Sequence, residues 1–434
     1  MLSGWGRIPS RATRFAPRTW SRSPATRCSR AASAAPTAIR PSLHPAVLRP
    51  PIRRWPSASS RSTSGPGRLR AEAGLSVFTL NRLFRPRGFV VPVSPGHQFV
   101  TLGGMVAADV HGASHHVDGC FGAHVMGLRM RVADGRILEC GPEQESELFW
   151  ATVGGMGLTG HILEVEFRMR TISSPWLQVE KQHMPDIDAF MEGLKASAKE
   201  WPQTKGWIDC LKRGRHLGRG VLMRARWASA GDAPAKAPPA RPRPTVPFEL
   251  PFSLVTPADR ACLQLALLPL PVAGRRHRPP RLLLLSARRS RELEPTVRSP
   301  RVHAVPVRAP AAAGTGAARR FLELLTRRGG ASMLCVIKDC GPEGKGLLSF
   351  PKEGISIALD IPVTDDTQGL VDALNEAVIA EGGRVLPGEG RLHAGRALPG
   401  HGAATAGLDG RAPALGSEGR IRSAQSVRLF GDAP

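Results

Sequence analysis

Residues 94–125 read SPGHQFVTLGGMVAADVHGASHHVDGCFGAHV and residues 148–160 read LFWATVGGMGLTG. Each is a glycine-dense run set against a β-branched, strand-like stretch, and a His-Gly-x-x-His-His loop follows the first. Glycine reaches backbone angles closed to other residues and lets the main chain approach a ligand closely. Exposed N–H groups in such turns form nests for anionic or carbonyl oxygens. One Gly-Gly pair is weak information. Two of them bracketing a histidine loop are far more specific.

Around these runs the chain reads as alternating strands and tight turns from 88 to 170, after a short helix at Val77 to Phe84. Asp134-Gly135 marks a hairpin between Leu128–Ala133 and Arg136–Cys140. Glu143 to Trp150 suits a helix leading into the second glycine run, and His161 to Arg170 alternates like a sheet strand. After Ser173-Ser174-Pro175 the texture changes. Strands at 176–183, 206–211, 220–227, 332–339 and 355–361, with helices at 187–200, 321–328 and 367–381, predict an antiparallel sheet with helices on one side.

The chain has 434 residues and a net charge of +25. The charge is uneven: the first acidic residue is Glu72, every cation before it is Arg, and residues 72–210 are close to balanced. The Arg tracts lie among Pro and Ala without aromatic stacking partners, which argues against a nucleic-acid surface. Seven irregularly spaced cysteines fit neither a zinc site nor a disulfide framework, so reduced thiols and a cytoplasmic setting are expected, with no metal. The most apolar run, Ala261 to Val272, is broken by Pro269 and Pro271 and too short to span a membrane. A cytoplasmic protein, or one peripheral at the plasma membrane, follows. The Arg-, Ser- and Ala-rich start also imitates an organellar transit peptide.

At Pro95, Gly96, Thr101, Gly103, Gly104, Asp109, His111, Gly112, His115, His116, Phe121 and Gly122, and from Leu148 through Gly160, the chain resembles the FAD-binding PCMH-type (vanillyl-alcohol-oxidase-type) flavoproteins. Within them the likeness is to the decaprenylphosphoryl-ribose 2′-oxidase branch. His97 stands where that pattern has Thr, and Ala113-Ser114 where it has Lys-Asn. The resemblance implies an α+β fold: a two-subdomain FAD-binding domain plus a substrate domain of antiparallel sheet with helices. It implies non-covalent FAD contacted by Gly96, Thr101, Gly103, Gly104, Ala108, Asp109, Val110, His111, Gly112, Gly157, Thr159, Gly160 and Ile162. His111 would sit beside the flavin ring as the catalytic candidate, where an imidazole tunes the cofactor. Trp207 and Lys338 would face the substrate, and Ala358 stands where some relatives carry Cys. Read from the residues alone, Asp109, His115 and His116 are loop braces, Thr159-Gly160 a tight turn, and Trp207 and Asp209 part of a buried strand. Cys335 and Cys340 carry no role.

The implied reaction is hydride removal from a secondary alcohol of a polyprenyl-phosphate sugar, with the flavin then reoxidised by an acceptor the sequence does not name. A sugar-lactone (aldonolactone) substrate is the runner-up, and a short-chain reductase the implied partner.

Three segments, 9–69, 248–318 and 385–416, are rich in Arg, Pro, Ala, Gly or Leu without clean periodicity, and the whole chain lacks Tyr. Disordered linker is one reading. Slipped and recovered reading frames are the sharper one. Val385 to Arg391 back-translates so that a shifted frame encodes V-Y-L-A-K-D, and Ala31 to Pro41 can hide R-G-L-G-R-P-Y-G-D-P-P. Glu292 to Val307 and Ala414 to Ser417 hide family-like strings in the same way. In the family the R-G-x-G-R-S-Y-G-D loop wraps the flavin pyrophosphate, and a Y-x-x-K pair, holding the base, touches flavin and substrate.

The organisation expected is therefore 1–8 as the start of the FAD domain, 9–69 scrambled, 70–174 the FAD-binding subdomain, 175–383 the substrate domain, and 384–434 a return to the FAD domain. A non-catalytic product of a damaged gene is the reading from a different class.

Overall fold

The structure is a computed structural model. It describes residues 67–236, 238 and 314–386 (apart from 331, 333, 334, 363 and 364), with strands at 2–3, 9–10, 276–278 and 302–310. The fold is α+β.

Strands β1 (Leu2–Ser3) and β2 (Pro9–Ser10) pair with each other. Strand β3 (Arg68–Glu72) joins a four-stranded sheet of order β3-β7-β5-β6, and β4 (Phe89–Val90) pairs with β8 (Arg170–Thr171). Strands β5 (Val125–Arg131) and β6 (Ile137–Cys140) form the expected hairpin, with Gly135 at φ +94° taking the left-handed turn position. Strand β7 (His161–Arg168) lies between β3 and β5. Helix α1 (Val77–Phe84) packs Val77 and Leu80 into this sheet's core; Ser76 caps it by accepting from the Thr79 amide.

Helix α2 (Leu102–Ala107) corrects the expectation of strands and turns over 88–170. The Thr101 hydroxyl accepts from the Gly104 amide as N-cap, and Leu102, Met105 and Val106 are fully buried at helical spacing. The Gly-Gly pair masked that period. Helices α3 (His115–Asp118) and α4 (Ser146–Thr152) complete the layer.

The larger sheet has eight strands in the order β12-β9-β11-β10-β14-β15-β13-β16. They are β9 (Leu177–Met184), β10 (Gln203–Ile208), β11 (Gly220–Trp227), β12 (Arg276–Arg278), β13 (Val302–Pro310), β14 (Cys335–Cys340), β15 (Gly354–Pro362) and β16 (Arg384–Val385). Helices α5 (Ile187–Ser197), α6 (Gly314–Arg327) and α7 (Thr367–Ala380) contribute Phe190, Leu194, Leu322, Leu325, Val371 and Leu374 to one core with Ile208, Leu222, Ile337 and Leu359. Those strand residues share one face by period-two alternation, so the helices cover that face.

Strand β10 ends three residues earlier than the sequence suggests. The Asp209 carboxylate accepts from Leu211 N at 2.9 Å and from Arg219 Nε at 2.9 Å, and turns the chain there.

Most of 9–69, 248–318 and 385–416 lies outside the described residues. Where those segments are described, the structure differs from the expectation. Nine residues of β13 pair with β15, helix α6 begins at Gly314, and β3 begins at Arg68. Strand pairing uses main-chain groups and does not require patterned side chains. Arg384 and Val385, expected in the FAD domain, pair with β13 in the large sheet.

Gly206 sits where a Cβ would overlap the Phe190 ring and press Ile337. Gly206→Ala is expected to cost roughly 1–3 kcal/mol by overpacking, read as a lowered urea midpoint at unchanged slope.

Candidate functional site

The two glycine runs meet in space. Gly154 N donates to Val106 O at 2.9 Å and Met156 N to Ala107 O at 2.8 Å, so the second run docks on the C-terminal end of α2. Gly103 N donates to Ala73 O at 2.9 Å, and a Cβ at Gly103 would lie 3.1 Å from the Ala73 methyl. The amides of Gly103 and Gly104 are thus engaged within the protein, which leaves close main-chain approach as what they offer a ligand. A Cβ at Gly96 or Gly157 would meet nothing within 4 Å, and Gly157 is left-handed at φ +80°. Bare backbone bordering open space, next to a helix end and a histidine loop, fits one wall of a cofactor cleft.

Other candidates face inward. The Thr159 hydroxyl is 2.8 Å from that of Thr152 and closes the 153–160 loop on itself. A Cβ at Gly160 (φ +152°) would overlap Arg131 O, and Ile162 packs beside Gly103. Gly112 has no room for a side chain because Ser94 O lies against it, which joins the 94–98 loop to the histidine loop.

From Ala108 the chain turns through Asp109, a non-glycine at φ 39°, and Val110 N donates to Met105 O at 2.9 Å. Asp109 is 1% exposed. Its carboxyl accepts from Gly122 N at 2.9 Å and from the Ser349 hydroxyl. Burial raises its pKa, against hydrogen bonds from Ser349, the Gly122 amide and the Cys120 thiol that pull it down. His115 Nδ1 accepts from Gly341 N at 3.0 Å, which places the ring proton on Nε2, 3.3 Å from Cys120 Sγ. His116 Nε2 lies 3.0 Å from Trp201 O, and Ala113 O accepts from Thr204 N at 2.9 Å. The loop from 109 to 116 is therefore the seam between the small sheet and the large one.

His111 stands on that seam, its ring centroid 5.5 Å from Phe350 and 6.1 Å from His115. Trp207 and Lys338 lie on the large sheet's face opposite the helices, since Gly206 pairs with Ile337 and Ile208 with Cys335 on the helix face. Sequence reasoning missed Ser349, Phe350, Gly341 and Lys205. A signal existed for the first three: Gly341, Gly344 and Gly346 form a third glycine run, each with a neighbour inside the space of a Cβ. Among the described residues no group of three metal-ligating side chains occurs. The five described cysteines are buried, and burial pushes the Cys140 thiol up to about 12.

Residues 62–141 match the FAD binding domain family. A protein of Streptomyces coelicolor, uncharacterized and named for the mprA 5′ region, is 32% identical over 331 residues, covering 72% of this chain and 88% of its own length. The chain belongs to the FAD-binding PCMH-type oxidoreductases. The decaprenylphosphoryl-beta-D-ribose oxidase of Mycolicibacterium smegmatis is 29% identical over 343 residues, 74% of this chain and 72% of the relative. A putative D-arabinono-1,4-lactone oxidase of Neurospora crassa is 27% identical over 113 residues, 26% of this chain and 20% of the relative. As a member of this family the protein is an FAD-dependent oxidoreductase. Among the described residues no helix is long and apolar enough to cross a membrane.

Proposed function

We propose that this flavoprotein oxidises a secondary hydroxyl of a sugar carried on a polyprenyl phosphate, with His111 at the reacting end of the site. The observation that carries the reading is the seam itself: open glycine backbone, His111 and Phe350 meet where the face bearing Trp207 and Lys338 begins. The similarity to the ribose oxidase also extends over 74% of the chain, whereas the lactone oxidase matches 26%, so the lactone substrate is the second reading.

FAD, when bound, would supply the acceptor for the hydride leaving the carbinol carbon, and the hydroxyl proton would pass to the base that the family carries in its Tyr/Lys pair. The protein supplies positioning. The main chain at Gly96, Gly103, Gly104 and Gly157 bounds the cleft, with Thr101, Ala108, Asp109, Val110, Gly112, Thr159, Gly160 and Ile162 holding that backbone in place. In this reading FAD is held without a covalent bond, because the cleft wall meets it as backbone. His111 orients the flavin edge and the substrate hydroxyl together. Trp207 and Lys338 bound the substrate on the opposite side, and the ketone formed suits a short-chain reductase.

The pyrophosphate loop and the Tyr/Lys pair of the family are missing from the sequence as written. Losing several hydrogen bonds worth about 1–3 kcal/mol each lowers FAD affinity by orders of magnitude. The 434-residue chain is expected to purify with little flavin absorbance. A chain with its three frames restored should be yellow and bleach anaerobically on adding a polyprenyl-phosphate ribose. Stoichiometric FAD in the unrestored chain would sink the slipped-frame reading. A restored yellow protein that only an aldonolactone bleaches would replace the first substrate by the second.

A further inference from the structure

Strands β14 and β15 are joined by a loop, residues 341–353, that does not stay at the edge of its sheet. Loops ordinarily run over the surface. This one carries three consecutive buried residues, Leu348, Ser349 and Phe350, each at 1% exposure or less. Its glycines show where it goes. A Cβ at Gly344 would overlap the Asp109 carboxylate, one at Gly346 would overlap Val153 O, and one at Gly341 would press on His116 Cα. The loop therefore leaves the large sheet and inserts between the histidine loop and the second glycine run. Arg384 on β16 anchors it from behind, donating to Ser349 O at 3.0 Å and pairing with Glu343.

Three contacts of this loop converge on His111. Phe350 lies against the His111 ring, with centroids 5.5 Å apart and planes tilted by 41°. His115 stands edge-on to the same ring at 6.1 Å and 89°, and Gly341 N fixes His115 through Nδ1 at 3.0 Å. The Ser349 hydroxyl holds the Asp109 carboxyl, two residues before His111. Aromatic rings prefer tilted and edge-on arrangements at such distances, so each neighbour favours one orientation of the imidazole. His111 itself is half-buried. The preceding Val110 is held through Met105 O and Phe121 N, and such backbone bonds do not set the ring's torsions. The Phe350 ring, in contrast, is fully buried and locked by close packing.

We infer that Phe350 is a positioning residue for His111, and that through the β14–β15 loop the large sheet dictates the orientation of that imidazole. Phe350 acts through His111 and not on the reacting atoms. The catalytic consequence rests on the proposed place of His111 beside the flavin; the orientation itself does not.

Nuclear magnetic resonance of the full 434-residue chain, carbon-13 labelled at histidine, reads the orientation without flavin. The His111 signals are assigned by their loss in His111→Gln. The wild type should give one sharp set for His111, with cross-relaxation to the Phe350 ring protons. In Phe350→Leu that set should split or broaden as the imidazole samples a second rotamer, while the signals of the exposed His216 stay in place. Phe350→Tyr keeps the ring and should keep the single set; with the wild-type contacts it decides the matter if Phe350→Leu does not fold. In the frame-restored protein, Phe350→Leu should slow flavin reduction by roughly tenfold, inside the hundredfold that a misplacement of about 1 Å can cost. It should cause no further slowing in a His111→Ala background, because the two changes act through one ring. Missing wild-type contacts, a single sharp His111 set in Phe350→Leu, a split set in Phe350→Tyr, or rate losses that add would overturn the proposal. Should His111→Ala reduce its flavin at the wild-type rate while Phe350→Leu splits the His111 signals, the flavin-side placement of His111 fails and the positioning by Phe350 stands.

Discussion

Replacing Asp109 by Ala is expected to lower the unfolding free energy by roughly 2–4 kcal/mol. The carboxyl accepts from Gly122 N within its own sheet layer and from the Ser349 hydroxyl across the seam, all in buried surroundings. Ala removes the acceptor of the Gly122 amide, the Ser349 hydroxyl and the Cys120 thiol, and each buried orphan costs about 1–3 kcal/mol. Ser349→Ala removes one donor and leaves the Gly122 bond, so it should cost about 1 kcal/mol. Urea denaturation of the two single variants and the double variant isolates their coupling, which should be non-additive because they share one bond.

The pH dependence gives a second check. Burial raises the Asp109 pKa, so the folded state binds this proton more tightly than the unfolded chain does. Its contribution to stability is fully present below the unfolded value near 4 and is lost as pH rises through the folded value. Asp109→Asn keeps the shape without the titration. Its deficit relative to wild type should therefore shrink from about pH 4 to about pH 7. A deficit that grows with pH would mean that the three hydrogen bonds outweigh burial.

Residues whose periodicity stands alone were legible in the chain. Helix α1 and strand β11 fall where the alternation of apolar residues puts them, because no turn residue interrupts either pattern. Asp134-Gly135 specified its hairpin through one left-handed residue. Helix α2 was hidden because Gly103 and Gly104 read as a turn; the small size of Gly103 instead serves the 3.1 Å approach to Ala73. Strand β10 was misplaced because Gly206 looks like a strand edge, while its lack of a side chain makes room for Phe190 at the strand centre. In the candidate site, the motif located the 109–116 loop, but its partners come from residues far along the chain. Gly341 reaches His115, Ser349 reaches Asp109 and Phe350 reaches His111. Such pairings are set by packing of the two sheets, and no local pattern encodes them. Lys205 was passed over because the expected strand began at Gly206, one residue beyond it, whereas β10 begins at Gln203.

His111→Ala is expected to slow reduction of bound flavin by substrate by about 100-fold, the low end of what a positioned acid–base or polarising group contributes. The effect should fall on the chemical step. His111 follows Val110, whose backbone is fixed to Met105 and Phe121, so truncating the ring leaves the loop's path intact. The ring's neighbours include Phe350 and His115, while the side chains of Asp109, His115 and His116 bond across the seam between the two sheets. Stability and FAD content should therefore stay near wild type while the rate falls. His111→Gln, which keeps a hydrogen-bonding group of similar reach, should recover part of the rate. Anaerobic stopped-flow mixing of the frame-restored protein with its sugar substrate separates bleaching from reoxidation. If the alanine variant bleaches at the wild-type rate, His111 serves only the packing against Phe350. The reacting carbon must then lie further along the seam, toward Trp207 and Lys338.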